Sequence, residues 1–177
     1  MPPDHEAVPP VLEQRGPTAA SLSGMYFEDL SPGLVFRSEP VAVTSRQIKT
    51  FAAEFDPQPF HLDEAAAESS FFGGLAASGW HTAALTMSQL VRTLPIAGGL
   101  IGAGIDRLQW LLPLRPDDAI HIEVQVLAVR VSQSRPDRGI LKTQVTTLNQ
   151  SGAAIQVMVS SCFVPCRTPP RENSEQL

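Results

Sequence analysis

Residues 78–95 read Ser78-Gly79-Trp80-His81-Thr82-Ala83-Ala84-Leu85-Thr86-Met87-Ser88-Gln89-Leu90-Val91-Arg92-Thr93-Leu94-Pro95, and the period of this stretch decides the fold. Trp80, Ala83, Ala84, Met87, Leu90, Val91 and Leu94 recur at helical spacing and make one apolar stripe. The small pair Ser78-Gly79 opens the helix and permits close approach to a neighbouring layer. Pro95 closes it, because the residue before a proline is pushed out of helical backbone. A stripe this wide predicts a helix that lies inside a curled sheet.

The flanking segments supply that sheet. Upstream, residues 34–43 read as an opening strand, held to an edge by Pro40. Thr44 with Gln47 forms a capping box, and Ile48, Phe51, Ala52 and Phe55 follow at helical spacing until Pro57 stops the helix near Asp56. From residue 100 onward the period falls to two. Ile120, Ile122, Val124 and Val126 alternate with polar residues, as do Val145 and Thr147, and then Ile155, Val157 and Val159. Turn-forming residues at 134–139 and 149–152 separate these runs. The Gly98-Gly99 and Gly102-x-Gly104 pattern marks a bulge or a close backbone approach. One strand, then helices, then four antiparallel strands is an α+β arrangement. With the helix wrapped by the sheet it is the hot-dog plan, in a single domain over 25–164. Residues 1–24 are rich in Pro, Ala and Ser without periodicity and read as a mobile leader; 165–177 read as a disordered tail.

Charge and composition exclude several classes. The formal charge is -5 and no run of Lys or Arg occurs, which argues against nucleic acid and against an anionic membrane surface. No apolar stretch reaches the roughly 20 residues that a membrane-spanning helix needs. The N-terminus carries acidic residues and prolines where a secretory signal would be basic and then apolar. Cys162 and Cys166 stand four apart; on one strand their Cα atoms would be about 13 Å apart, beyond the roughly 7 Å that a disulfide spans. They read as free thiols in a reducing cytoplasm. No second Cys/His pair accompanies them, so no metal site is expected there; no cofactor is expected either.

The chemistry-bearing stretch is Phe55-Asp56-Pro57-Gln58-Pro59-Phe60-His61-Leu62-Asp63. Two prolines stiffen the backbone between an acid and an imidazole. Asp56 also stands at a helix C-terminus, where a carboxylate meets the negative end of the dipole. A residue that breaks a local rule is a candidate for function. From spacing alone, a turn aspartate and an ordinary half-buried histidine account for the same residues.

The Asp-x-x-x-x-His element, followed by an acidic, Ala-rich segment, resembles the signature of the MaoC-like hydratases. Gln58 stands where the family typically has Asn, and Pro57 is added. The spacing from His61 to Gly79 resembles the family's, and so does Ile105-Asp106-Arg107-Leu108-Gln109-Trp110 followed by Pro113-Leu114-Arg115-Pro116-Asp117-Asp118, with Asp117 in place of the usual Gly. The resemblance implies reversible hydration of a trans-2-enoyl thioester, or dehydration of a 3-hydroxyacyl thioester, carried by CoA or by acyl-carrier protein. Asp56 and His61 would hold the water, and the Gly79 N–H would receive the charge that develops on the thioester oxygen. Trp80 and Met87 would contact the substrate, Met87 standing where some members carry a Ser. His81, His121 and His5 read as packing or solvated residues, and Cys162 as a small core residue. Two other readings remain in view: a hot-dog thioesterase, disfavoured because residues 79–94 contain no acid, and a non-catalytic acyl-binding subunit, disfavoured by the intact Asp56 and His61. Exposed sheet edges further predict a homodimer or a higher even oligomer.

Overall fold

A computed structural model describes residues 24–167. After a 3-10 turn at Phe27–Asp29, the order is β1 (Val35–Arg37), β2 (Val41–Ala42), α1 (Ser45–Phe55), α2 (Pro59–Leu62), α3 (Glu64–Glu68), α4 (Gly79–Thr93), β3 (Ile101–Trp110), β4 (Ala119–Val131), β5 (Arg138–Leu148) and β6 (Ala154–Pro165). The strands form one six-stranded antiparallel sheet in the order β1-β4-β5-β6-β3, with β2 also on β4. The sheet curls around α4, which is the hot-dog arrangement.

The local signals explain most element ends. Thr44 and Gln47 cap α1 reciprocally, and Asp56 is its C-cap. Ser78 caps α4 by accepting from the Trp80 N–H at 3.2 Å. The expected opening strand is two short pieces, β1 and β2, both at the edge against β4. Pro40 lies in the break between them and has no N–H to extend the ladder. The glycines at 102 and 104 mark a bulge, with the β3–β6 register shifting there and again between Ile105 and Arg107. Asp117 adopts φ +66, the left-handed region that explains why glycine is usual at this position.

β4 and β5 line the interior as their period demands, with Ile120, Ile122, Val124, Val126 and Val145 buried; β6 departs from it, because Gln156 and Met158 are buried beside Ile155 and Val159 while Val157 is only half-buried. On α4 the outcome differs from the simple stripe. Leu90 and Leu94 enter the core, yet Trp80, Met87 and Val91 are exposed, and the helix buries Thr82, Thr86 and Gln89 instead. That polar face is tolerated because its groups are hydrogen-bonded. Thr86 Oγ1 lies 2.7 Å from Thr147 Oγ1, and Gln89 donates to the Ile120 carbonyl at 3.2 Å. The uncovered apolar face of α4 goes with an edge strand, β3, whose Ile101 and Ile105 are more than half exposed.

The expected tail boundary at 165 falls at the end of β6. Cys166 N–H donates to the Asp137 carbonyl, and Arg167 pairs with Asp29 and covers the Tyr26 ring. The remaining tail and the leader up to residue 23 lie outside the described residues. Cys162 and Cys166 are free thiols, and burial pushes Cys162 up to about 11. Among the described residues no helix is long and apolar enough to cross a membrane.

Candidate active site

The site forms where the C-terminus of α1, the short α2 and the N-terminus of α4 converge. Pro57 follows Asp56, and Pro59 begins α2 at a position where a missing N–H costs nothing. This single turn carries His61 inward, leaving it 4% exposed. Asp56 Oδ2 and His61 Nε2 then face each other at 3.4 Å. The turn between the two prolines thus brings together the pair that the resemblance named.

Each member of the pair is held from its far side. His61 Nδ1 is 2.7 Å from the Ala76 carbonyl oxygen. A carbonyl can only accept, so Nδ1 carries a proton, and in the neutral form of the ring Nε2 is the acceptor that faces Asp56. Asp56 Oδ1 accepts from Gln58 Nε2 at 2.8 Å, which gives a use for the residue that replaces the family's Asn. Burial by itself would raise the Asp56 carboxyl. Hydrogen bonds from the Ser78 hydroxyl and the Gln58 amide, and the attraction of the His61 ring in its cationic form, outweigh it and hold the group below the usual aspartate range.

Ser78 was read from sequence only as the opening of a helix. It is fully buried, and its oxygen accepts from the Trp80 N–H while its hydroxyl serves Asp56. Arg115 belongs to the second stretch that resembles the family, and its guanidinium donates to the carbonyls of Phe72, Gly74 and Leu75. This pins the loop that presents the Ala76 carbonyl to His61. Asp118 in turn accepts from the Arg115 N–H at 2.7 Å and from Gln150 at 2.9 Å. The signal for these roles lay in the Pro-x-Arg-Pro-x-Asp stretch, but the partners are about 40 residues away in sequence.

Gly79 is the first residue of α4, and among the described residues nothing accepts from its N–H. A methyl group there would stand 2.6 Å from Trp110 Cε2, so only glycine fits beneath that indole. Gly79, Trp80, Asp56 and His61 line one cleft of about 370 Å³, with Phe60, Phe72, Trp110 and Leu112 among its other walls. Met87 does not reach it in the single chain. Eight residues along a helix is about 12 Å, and Met87 lies on the exposed face of α4. Its neighbour Thr86 points into the core, so the helix hydroxyl that lines the cleft is Thr82. His81 lies outside the cleft lining, stacked on Phe51 with centroids 4.7 Å apart; its Nδ1 has no partner among the described residues, and burial lowers its basicity.

An ionised carboxylate and an imidazole lone pair, side by side at a cleft that also offers a free helix-terminal N–H, form a site for handling a proton. They can bind a water through its hydrogens, while the N–H can receive developing negative charge nearby.

Comparison with known proteins agrees with this geometry. The family model described as MaoC like domain matches residues 30–149. An uncharacterized protein, YdeM, of Bacillus subtilis (strain 168) is 32% identical over 127 residues, spanning 71% of this chain and 89% of that protein. The crystal structure of a MaoC-like dehydratase from Rhodospirillum rubrum is 53% identical, with a TM-score of 0.79 over 82% of this chain and 99% of that one. The (R)-hydratase of A. caviae involved in PHA biosynthesis is 27% identical, with a TM-score of 0.63 over 77% of this chain and 98% of that one. The hot-dog frame, the Asp56–His61 pair and the family match over residues 30–149 agree: the chain belongs to the MaoC-like family.

Proposed function

We propose that this chain catalyses the reversible hydration of a trans-2-enoyl thioester to the (R)-3-hydroxyacyl thioester. The observation that carries the reading is the 3.4 Å approach of Asp56 Oδ2 to His61 Nε2, with the imidazole tautomer set by Ala76. A water in contact with both acceptors points its oxygen lone pairs at the substrate. As the oxygen bonds to the β-carbon, one proton leaves the water for the Asp56–His61 pair, Asp56 being its first acceptor. The double-bond electrons move toward the thioester carbonyl, and the Gly79 N–H stabilises the charge there; such a donor is typically worth about 3 kcal/mol. The pair then delivers a proton to the α-carbon. The sum is H on one carbon and OH on the next, added from one face, with the thioester intact.

The kinship with an (R)-hydratase supports the stereochemistry, and an acyl cleft beside the pair supports a thioester substrate. The carrier is CoA or acyl-carrier protein. The free thiols suit a reducing compartment, and we assign the protein to the cytoplasm. We also assign it a homodimeric or higher even oligomeric state, in which a second copy covers Met87 and Val91 of α4 and Ile101 and Ile105 of the edge strand β3, all exposed and apolar.

The test is incubation of the purified chain with trans-crotonyl-CoA in deuterium oxide. Chiral analysis should return a single enantiomer, (R)-3-hydroxybutyryl-CoA, with one deuterium at the α-carbon syn to the hydroxyl and no free thiol. Release of CoA without hydroxyacyl product would establish a thioesterase instead. A racemic product would refute the paired site.

A further inference from the structure

One buried hydrogen-bond network is not used by the reaction itself. It runs from the cleft wall into the centre of the fold. Trp110, the last residue of β3, pairs in register with Gln156 of β6, and its indole Nε1–H donates to Gln156 Oε1 at 3.0 Å. Gln156 is fully buried, and its amide donates to Thr86 Oγ1 at 3.0 Å. Thr86 lies 2.7 Å from Thr147 Oγ1 and donates to the Thr82 carbonyl at 2.8 Å. Every polar side chain in this set has a partner. Such a network rigidifies what it holds, because breaking one link leaves a buried polar atom unsatisfied.

What it holds is the indole. The ring lies so close over Gly79 that a Cβ there would meet its carbons at 2.6 and 2.7 Å. It meets Trp80 edge to face at 5.4 Å, and it lines the same cleft as Asp56 and His61. At 44% exposure it is anchored at one end and open to a ligand at the other. Trp80, more exposed at 59%, has no such tether among the described residues.

We infer that Trp110 is the specificity-determining wall of the acyl cleft, and that Gln156 is the positioning residue that holds it there. This rests on the acyl-thioester reading above. A ring fixed against the first residue of α4 sets how close bulk on the acyl chain comes to the reacting carbons. Removing it opens space for longer or branched chains. Removing Gln156 frees the indole to rotate and blurs the limit.

Binding of saturated acyl-CoAs, which cannot be hydrated, separates this inference from the reaction. Butyryl-CoA and octanoyl-CoA would be titrated calorimetrically into the full-length wild type, W110A, W110F, Q156L and W110F/Q156L, with circular dichroism as the folding control. W110L replaces W110A if the latter does not fold. Hydrophobic-pocket discrimination typically spans about 10–200-fold. The octanoyl/butyryl affinity ratio should therefore rise at least about tenfold in W110A, and less in W110F, which keeps a ring over Gly79. Q156L should move the ratio in the same direction as W110A. W110F/Q156L should match W110F alone, since no indole N–H remains for Gln156 to hold. An unchanged ratio in W110A overturns the wall. A Q156L ratio equal to wild type, or a further shift in the double variant, overturns the tether. Wild type that binds both ligands yet hydrates no enoyl-CoA would refute the proposed reaction and leave the wall standing. Wild type that binds neither would refute both.

Discussion

Replacing Gly79 by Ala adds a single methyl group beneath the indole that covers the helix start. The added Cβ would stand 2.6 Å from Trp110 Cε2, 2.7 Å from Cδ2 and 3.0 Å from Cζ2. Carbon atoms pack at about 3.5–4.0 Å, so the contact is short by about 1 Å. The indole is rigid and tethered to Gln156, so either the ring or the start of α4 must move by that distance. Overpacking of this kind costs about 1–3 kcal/mol. Alanine's helix preference over glycine offsets at most about 1 kcal/mol of it. The net loss of about 1–2 kcal/mol lowers Tm by about 2–8 °C in a chain of this size. Activity should suffer more than stability. A displacement of about 1 Å at the group that receives charge can cost about a hundredfold in rate, so kcat for crotonyl-CoA should fall by about that factor. Thermal unfolding at one fixed protein concentration and single-substrate kinetics give both numbers. G79A/W110A supplies the control: with the ring gone the methyl has room, and the added cost of G79A should largely vanish in that background. If G79A retains wild-type Tm and turnover, or costs as much without Trp110 as with it, the packing argument is wrong.

Asp56→Asn and His61→Ala should each abolish most hydration with the fold intact. The double variant should be scarcely worse than either, because both residues serve one water; near-normal turnover in either single variant removes the assignment. The pH profile tests the environment of Asp56. The working form is the carboxylate, and its pKa is held below the usual aspartate value. Activity, and any stability that the depressed pKa contributes, should therefore persist above about pH 4 and be lost only as pH falls through the lowered value. Ser78→Ala removes one of the donors that lower it, so the acid limb of kcat/KM should move to higher pH; an unmoved limb would show that the Ser78–Asp56 bond is not made in solution. For assembly, light scattering at micromolar concentration should give a dimer mass or an even multiple. Ile105→Lys on the exposed edge strand should reduce that mass, and an active wild-type monomer would refute the dimer.

The sequence by itself determined what depends on near neighbours along the chain. The capping box at Thr44 and Gln47, the stop at Asp56-Pro57, the extent of α4 and the two-residue period of β4 and β5 each follow from backbone and hydrophobic patterns within one element. Asp56 and His61 stood out through the family resemblance of their stretch, since spacing alone left a turn aspartate and an ordinary histidine open; the fold sets them 3.4 Å apart. Tertiary structure decided everything that depends on which distant groups meet. Periodicity showed an apolar stripe on α4 but could not show that the sheet would take the Thr82–Thr86–Gln89 face, because that choice rests on Thr147 and Gln156 from strands 61 and 70 residues away. The resemblance placed Met87 at the substrate, where some members carry a Ser, whereas the turn of the helix carries it outward in the single chain. Ser78 on Asp56, Ala76 on His61 and Trp110 over Gly79 are likewise long-range meetings. A sequence pattern reports the face that a residue shares with its neighbours; only the closed sheet decides what that face touches.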